Sequence, residues 1–140
     1  MIKLLTFKQF LEEQVYFPGT SDYGYWITNS GEIIPVPYLD HNKIAAEHFN
    51  IRRGQASYMH AYHNGWIRVV HEKKKFPGMV DLQFNPLYVS PQAIRTAYHA
   101  IRDVMKYHPD TFELKADIGK QSFSGNDARA LNKLRTFPVQ

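Results

Sequence analysis

The sequence contains no cysteine. Disulfide cross-links, thiolate metal sites and thiol nucleophiles are therefore excluded, and the usage suits a reducing compartment. Long hydrophobic runs are missing as well. No window approaches the roughly 20 consecutive apolar residues that a membrane span needs. The opening Met1-Ile2-Lys3-Leu4-Leu5 offers neither a long apolar stretch nor a small-residue cleavage site. A soluble, cytosolic setting is the expectation. Also absent are an H-E-x-x-H zinc signature, a G-x-S-x-G nucleophile elbow, a glycine-rich phosphate loop between strand and helix, any H-x-H pair, a repeat of fixed period and a low-complexity tract. Without these, no cofactor is expected, and the sequence names no nucleophile and no paired carboxylates.

What the sequence has is apolar and aromatic mass. Of its 140 residues 44% are hydrophobic, 14% aromatic and only 21% charged, which is the composition of a chain that folds, in an amount that fills one domain. The formal charge of +4 is unevenly spread: Arg52, Arg53, Arg68, Lys73, Lys74 and Lys75 stand against Glu72 alone between residues 51 and 75. A basic centre of this kind attracts phosphates or acidic protein surfaces, or simply forms a solvated loop.

The most informative stretch is Ala61 to Val70. Gln55 to His63 repeats Tyr58, Met59 and Tyr62 at helical spacing, Gly65 then supplies a left-handed helix stop, and Trp66 to Val70 is rich in β-branched and aromatic residues. Around this hub the other elements fall into order. Thr6, Gln9, Leu5 and Phe10 form a capping box with a hydrophobic staple, predicting a helix from Phe7 to Gln14 with Phe7, Phe10 and Leu11 on its apolar face. Residues 1–16 read as an amphipathic docking arm on a single domain spanning 1–140. Tyr23 to Thr28 and Glu32 to Pro37 flank Asn29-Ser30-Gly31 as a hairpin, and Pro35 and Pro37 confine its second strand to a sheet edge. Asp40 caps a helix over His41 to His48 with Ile44, Ala45 and His48 or Phe49 inward.

A second hairpin joins the hub strand to Met79–Phe84 across the basic tip. Ser90-Pro91 opens the longest helix, which runs to His108 with Ile94, Ala97, Tyr98, Ile101, Val104 and Met105 as its buried stripe and Arg95, His99, Arg102 and Lys106 opposite. A strand over Thr111 to Ala116 and a short helix over Asp127 to Leu134 complete the chain. Hairpins without a phosphate loop indicate a small α+β domain: an antiparallel sheet from two hairpins plus a strand, with one long helix packed on it.

Three functional readings arise from different residues. Arg52, Arg53, Arg68, Lys73, Lys74, Lys75, Arg95 and Arg102 can track phosphates, with Tyr58, Tyr62 or Trp66 stacking on bases. His60 and His63, one helical turn apart, are candidate metal ligands, and a histidine or a tyrosine is the available acid or base for an enzyme, a histidine for a small hydrolase. The amphipathic arm, the proline-blunted edge and the aromatic surplus are features that protein interfaces use, and these support binding of other proteins.

Gly31-Glu32-Ile33-Ile34-Pro35-Val36-Pro37 followed by His41, and then Asn64-Gly65-Trp66-Ile67-Arg68-Val69, resembles small tailed-bacteriophage proteins in which a W-I-x-x-x-G strand pair, a histidine-bearing helix and a G-W-[IV]-R-V strand follow in that order. Thr6 to Glu13 is similar to the start of many phage virion and assembly proteins. The resemblance implies a bacteriophage origin more than a role; taken with the interface features above, the expectation is a non-enzymatic virion or assembly component, in the virion or the host cytoplasm, that binds phage structural or host proteins. It carries over no catalytic residue.

Overall fold

A computed structural model describes residues 22–72, 78–107, 112–118, 121–125 and 128–137. The expected N-terminal helix with Phe7, Phe10 and Leu11, and the basic tip Lys73-Lys74-Lys75, lie outside the described residues. Strands β1 (Tyr23–Ile27) and β2 (Ile33–Val36) form the first hairpin, and helices α1 (His41–Phe49) and α2 (Gln55–His63) lead to β3 (Ile67–Glu72). Then follow β4 (Gly78–Phe84), α3 (Pro91–Tyr107), β5 (Phe112–Ile118), β6 (Gln121–Gly125) and α4 (Ala128–Arg135). The strands form one six-stranded sheet in the order β2-β1-β3-β4-β5-β6. The protein is a small α+β domain whose first four strands pair antiparallel.

β5 joins β4 in parallel, with Val80 opposite Leu114 and Phe84 opposite Ile118. The 17 residues of α3 explain this: at 1.5 Å per residue the helix runs about 25 Å, close to the length of a seven-residue strand, so it returns the chain to the start of β4. Strand β6 then pairs antiparallel with β5; its sequence Gln-Ser-Phe-Ser-Gly lacks the apolar alternation that announces a strand.

Both early helices stop in the same way. Trp66 N–H bonds to the Ala61 carbonyl and Gly65 N–H to that of Tyr62, while Ile51 N–H bonds to Ala46 and Asn50 N–H to Glu47. These are the paired bonds of a Schellman stop, with Gly65 (φ +78) and Asn50 (φ +53) in the left-handed position. Asp40 caps α1 by accepting the Lys43 N–H at 3.2 Å and also pairs with Arg53. Ser90 caps α3 by accepting the Ala93 N–H at 3.0 Å. Pro35 sits where it does least damage. Thr28 N–H bonds to Glu32 across the hairpin end, so alternation puts the Tyr25–Pro35 pair at a non-hydrogen-bonded position, and the missing N–H points away from β1.

The sheet separates two cores. On one face Tyr25, Ile27, Ile67, Val69, Val80, Leu82 and Phe84 pack against Ala93, Ile94, Ala97, Ala100 and Ile101 of α3 and Leu134 of α4. Alanines on three turns of α3 let the helix lie close to the sheet. On the other face Trp26, Val36 and Trp66 pack against Ala45 and Ala61, with Ile34, Ile44, Phe49, Tyr58 and Tyr62 at the margin. Trp66, Ile67, Val69, Val80, Leu82 and Phe84 are buried, and of the stripe expected on α3, Ile94, Ala97 and Ile101 are buried with Tyr98 half-buried against them. Leu114, Val104 and Met105 lie outside the side chains described. Among the described residues no helix is long and apolar enough to cross a membrane.

Candidate functional site

Three turns meet at one end of the sheet, and the hub glycine is where they touch. A Cβ on Gly65 would lie 2.3 Å from the Tyr88 carbonyl oxygen and 2.6 Å from Asn29 Oδ1, so no side chain fits there without moving backbone. The hydroxyl of Ser90 donates to the Asn29 carbonyl, and that of Thr96 donates to the Gly31 carbonyl at 3.0 Å. The β1–β2 turn, the α2–β3 turn and the β4–α3 loop are thereby fastened together. The last of these is also internally bonded: Asn85 Oδ1 accepts the Leu87 N–H at 2.9 Å, and the Asn85 carbonyl accepts the N–H groups of Tyr88 and Val89.

Fixing this loop opens a groove of about 380 Å³ between it and the C-terminal half of α2. Met59, Tyr62 and His63 form the helical wall, Gln83 and Phe84 the floor, and Asn85, Pro86 and Leu87 the opposite wall. Tyr58, Met59 and Tyr62 lie on α2 as their spacing predicts. Among the described side chains of α2, Ser57 and Ala61 are buried, Tyr58 and Tyr62 are half-buried, and Met59 is 51% exposed. At the mouth Leu87 is 64% and Tyr88 47% exposed, and the Tyr88 ring meets His63 edge-on at 5.4 Å. Large apolar side chains contiguous at the surface mark binding sites far more often than isolated ones do.

The groove floor is ordered by a hydrogen bond. Tyr62 donates its hydroxyl to Gln83 Oε1 at 3.1 Å, and burial pushes the phenol pKa up to about 12, so the proton stays in place throughout the neutral range. Behind it Arg68 faces Asp81 at 3.8 Å and lies under the Tyr58 ring at 5.9 Å. This basic residue is therefore spent on a half-buried pair and a cation–π contact within the fold.

The other basic residues are dispersed. Arg52 and Arg53 are exposed on the α1–α2 connection, and Arg53 pairs with Asp40. Arg95 and Arg102 are exposed on α3, across the sheet, where Arg102 contacts Asp103 and the Tyr98 ring. The described arginines thus occupy two sides of the molecule instead of one surface. His60 and His63 are both exposed on α2, and His60 Nδ1 lies 3.0 Å from the Ala56 carbonyl. Among the described residues no three metal-ligating side chains come together.

Two other histidines are fully buried. His41 lies against Trp26 with its ring nitrogens 3.2 Å from the Leu39 carbonyl and 3.3 Å from that of Tyr25. Burial, aided by the Arg68 charge, lowers its pKa to about 4 although nearby carbonyls favour the protonated ring. His71 stacks on Tyr23 at 4.4 Å and lies 3.0 Å from the Tyr25 hydroxyl. Both fill core positions.

Sequence reading missed Gln83, Asn85, Leu87 and Tyr88 as site residues. The available signal was Asn85-Pro86, a turn dipeptide followed by two large apolar residues that a polar loop does not require. No protein family, curated protein or solved structure matches this chain.

Proposed function

We propose that this protein acts without chemistry of its own, by binding another protein through the groove between α2 and the β4–α3 loop, as a virion or assembly component of a tailed bacteriophage. The observation that carries the reading is the exposure of Met59 and Leu87 on one groove, with exposed Tyr88 beside it against His63. A fixed wall strengthens it. Because Gly65, Asn29 and Ser90 hold the loop, a partner need not order it on binding, and the entropic cost of association is correspondingly smaller. The phage assignment draws on the Gly31–Pro37 and Asn64–Val69 resemblance.

A photo-crosslinking residue placed at Leu87, and separately at Arg95 as an exposed control across the sheet, tests the reading in infected cells. The expected result is a discrete adduct with one protein from position 87 and none from 95, with the chain recovered from purified virions by mass spectrometry. Adducts of equal yield from both positions, or none from 87, would overturn the protein-binding reading. Absence from the virion would remove the particle and leave assembly.

A further inference from the structure

The groove has a chemical polarity that narrows what it can hold. Its lining, Met59, Tyr62, His63 and residues 83–87, includes no lysine, arginine, aspartate or glutamate among the described residues, so a phosphate or carboxylate entering it would find no fixed counter-charge among them. Its two carboxamides are both turned the same way. Gln83 Oε1 already accepts from Tyr62, and Asn85 Oδ1 from the Leu87 N–H. What remains on each is an N–H donor pair, without a partner among the described residues. The Asn85 orientation is fixed by chemistry, since a backbone N–H can only donate. An apolar trough edged by neutral donors complements a group that is apolar and bears neutral acceptors.

We infer that the groove recognises an extended peptide segment of the partner: one aliphatic or aromatic side chain seated between Met59 and Leu87, with the peptide carbonyls flanking it accepting from Gln83 Nε2 and Asn85 Nδ2. This deepens the protein-binding reading and rests on it. The alternation of apolar anchor and main-chain hydrogen bonds is the mode by which extended segments gain affinity and side-chain selectivity together. Nucleic acid fits poorly, because Arg68, the cross-strand partner of Gln83, is engaged by Asp81 and Tyr58.

The test uses the full chain, ¹⁵N-labelled, titrated with N-acetyl-L-leucine N-methylamide, which carries one aliphatic side chain between two peptide carbonyls. Isoamyl alcohol, with a similar aliphatic group and no peptide carbonyl, is the comparison probe. Saturable shifts are expected at Met59, His63 and residues 83–88, including the side-chain NH₂ signals of Gln83 and Asn85, and stronger for the amide than for the alcohol. The combined variant Gln83→Glu, Asn85→Asp keeps both accepting oxygens, and so the Tyr62 and Leu87 bonds, while deleting the donors. It should weaken the amide probe at least tenfold and the alcohol by a much smaller factor.

Equal affinity of the variant for the amide, or equal response to the two probes, would overturn the inference. Signals at 83–88 that move with protein concentration alone would assign the groove to a second copy and overturn it too. Crosslinking from position 87 that persists while the amide probe fails would remove the peptide chemistry and keep the protein-binding reading; the reverse pattern would remove the partner and keep the groove's chemistry.

Discussion

The two faces of the sheet are built from different materials. Under α3 and α4 the packing is mainly aliphatic: isoleucine, valine, leucine and alanine dominate it, with Tyr23, Tyr25 and Phe84 buried among them and His71 stacked on Tyr23. Under α1 and α2 it is aromatic. Trp26 is ringed edge-on by His41, Tyr58, Tyr62 and Trp66 at 5.2 to 5.8 Å, and Phe49 and His48 pack on Trp66 beyond it. The described non-glycine residues with left-handed backbone, Tyr38, Leu39 and Asn50, all flank α1. Backbone strain and the open groove therefore share one side of the molecule, while buried titratable groups occur on both, His41 here and Tyr23, Tyr25 and His71 on the other. The contrast teaches that the aliphatic face is held mainly by buried area, while the aromatic face adds edge-on contacts and hydrogen-bonded polar tips and borders a surface recess.

If that division is real, the aromatic hub should be the costlier to remove. Trp26→Ala should destabilise by about 4–5 kcal/mol and Ile101→Ala by about 3 kcal/mol. Both side chains are fully buried, but the indole also forfeits its edge-on contacts and the bond from Nε1 to the His41 carbonyl at 3.0 Å. Urea denaturation measures both. Equal losses would mean that burial alone sets the energetics and that the faces do not differ in kind.

Acid should find the aromatic face first. His41 is held neutral, with a pKa of about 4 against an ordinary 6.5, so between these values the unfolded chain binds the extra proton and stability rises with pH. The stabilisation is complete above about pH 6.5 and falls as pH drops towards 4, by on the order of 3 kcal/mol in all. His41→Gln, which retains a donor for one carbonyl, should flatten that part of the profile. An unchanged slope in the variant would locate the acid response elsewhere.

Gly65→Ala tests the point where the groove wall is tied down. The left-handed backbone and the Tyr88 carbonyl in the path of the new methyl together predict a loss of about 2–3 kcal/mol. Signals of residues 85–90 should move with it. A neutral substitution would show that the loop gives way easily and that the groove is not preformed.

How much of this could be read beforehand depended on how local the signal was. Gly65, the Asp40 and Ser90 caps, the first hairpin and the long helix are specified by residues within a few positions of one another, and the structure has them. The parallel seating of β5 on β4 is a pairing across the 17-residue helix, and no local pattern encodes it. The exposure of Met59 was not legible, because helical spacing says which residues share a face without saying how wide a neighbour covers it. The groove combines residues 59–63 with 83–87, and neither segment alone announces a surface recess.

The smallest effect expected concerns strain at the other end of the sheet. Tyr38 has φ +55 and its side chain is as exposed as in an open chain, at 102%, so its ring gains nothing from the fold. The turn is held by its neighbours. Asp40 N–H bonds to the Pro37 carbonyl, the Leu39 carbonyl lies 3.2 Å from His41 Nδ1, and Leu39 itself packs close to Gly24, where a Cβ would lie 3.0 Å from it. A left-handed conformation costs a bulky residue about 1–2 kcal/mol, and glycine escapes that cost while giving the unfolded chain about 0.5–1 kcal/mol more entropy. Tyr38→Gly should therefore raise stability by about 0.5–1 kcal/mol in thermal or urea unfolding. This sets it apart from every other aromatic replacement on this face, which should lower stability. If Tyr38→Gly is destabilising instead, the ring packs on the fold in solution and the aromatic face extends to the sheet edge.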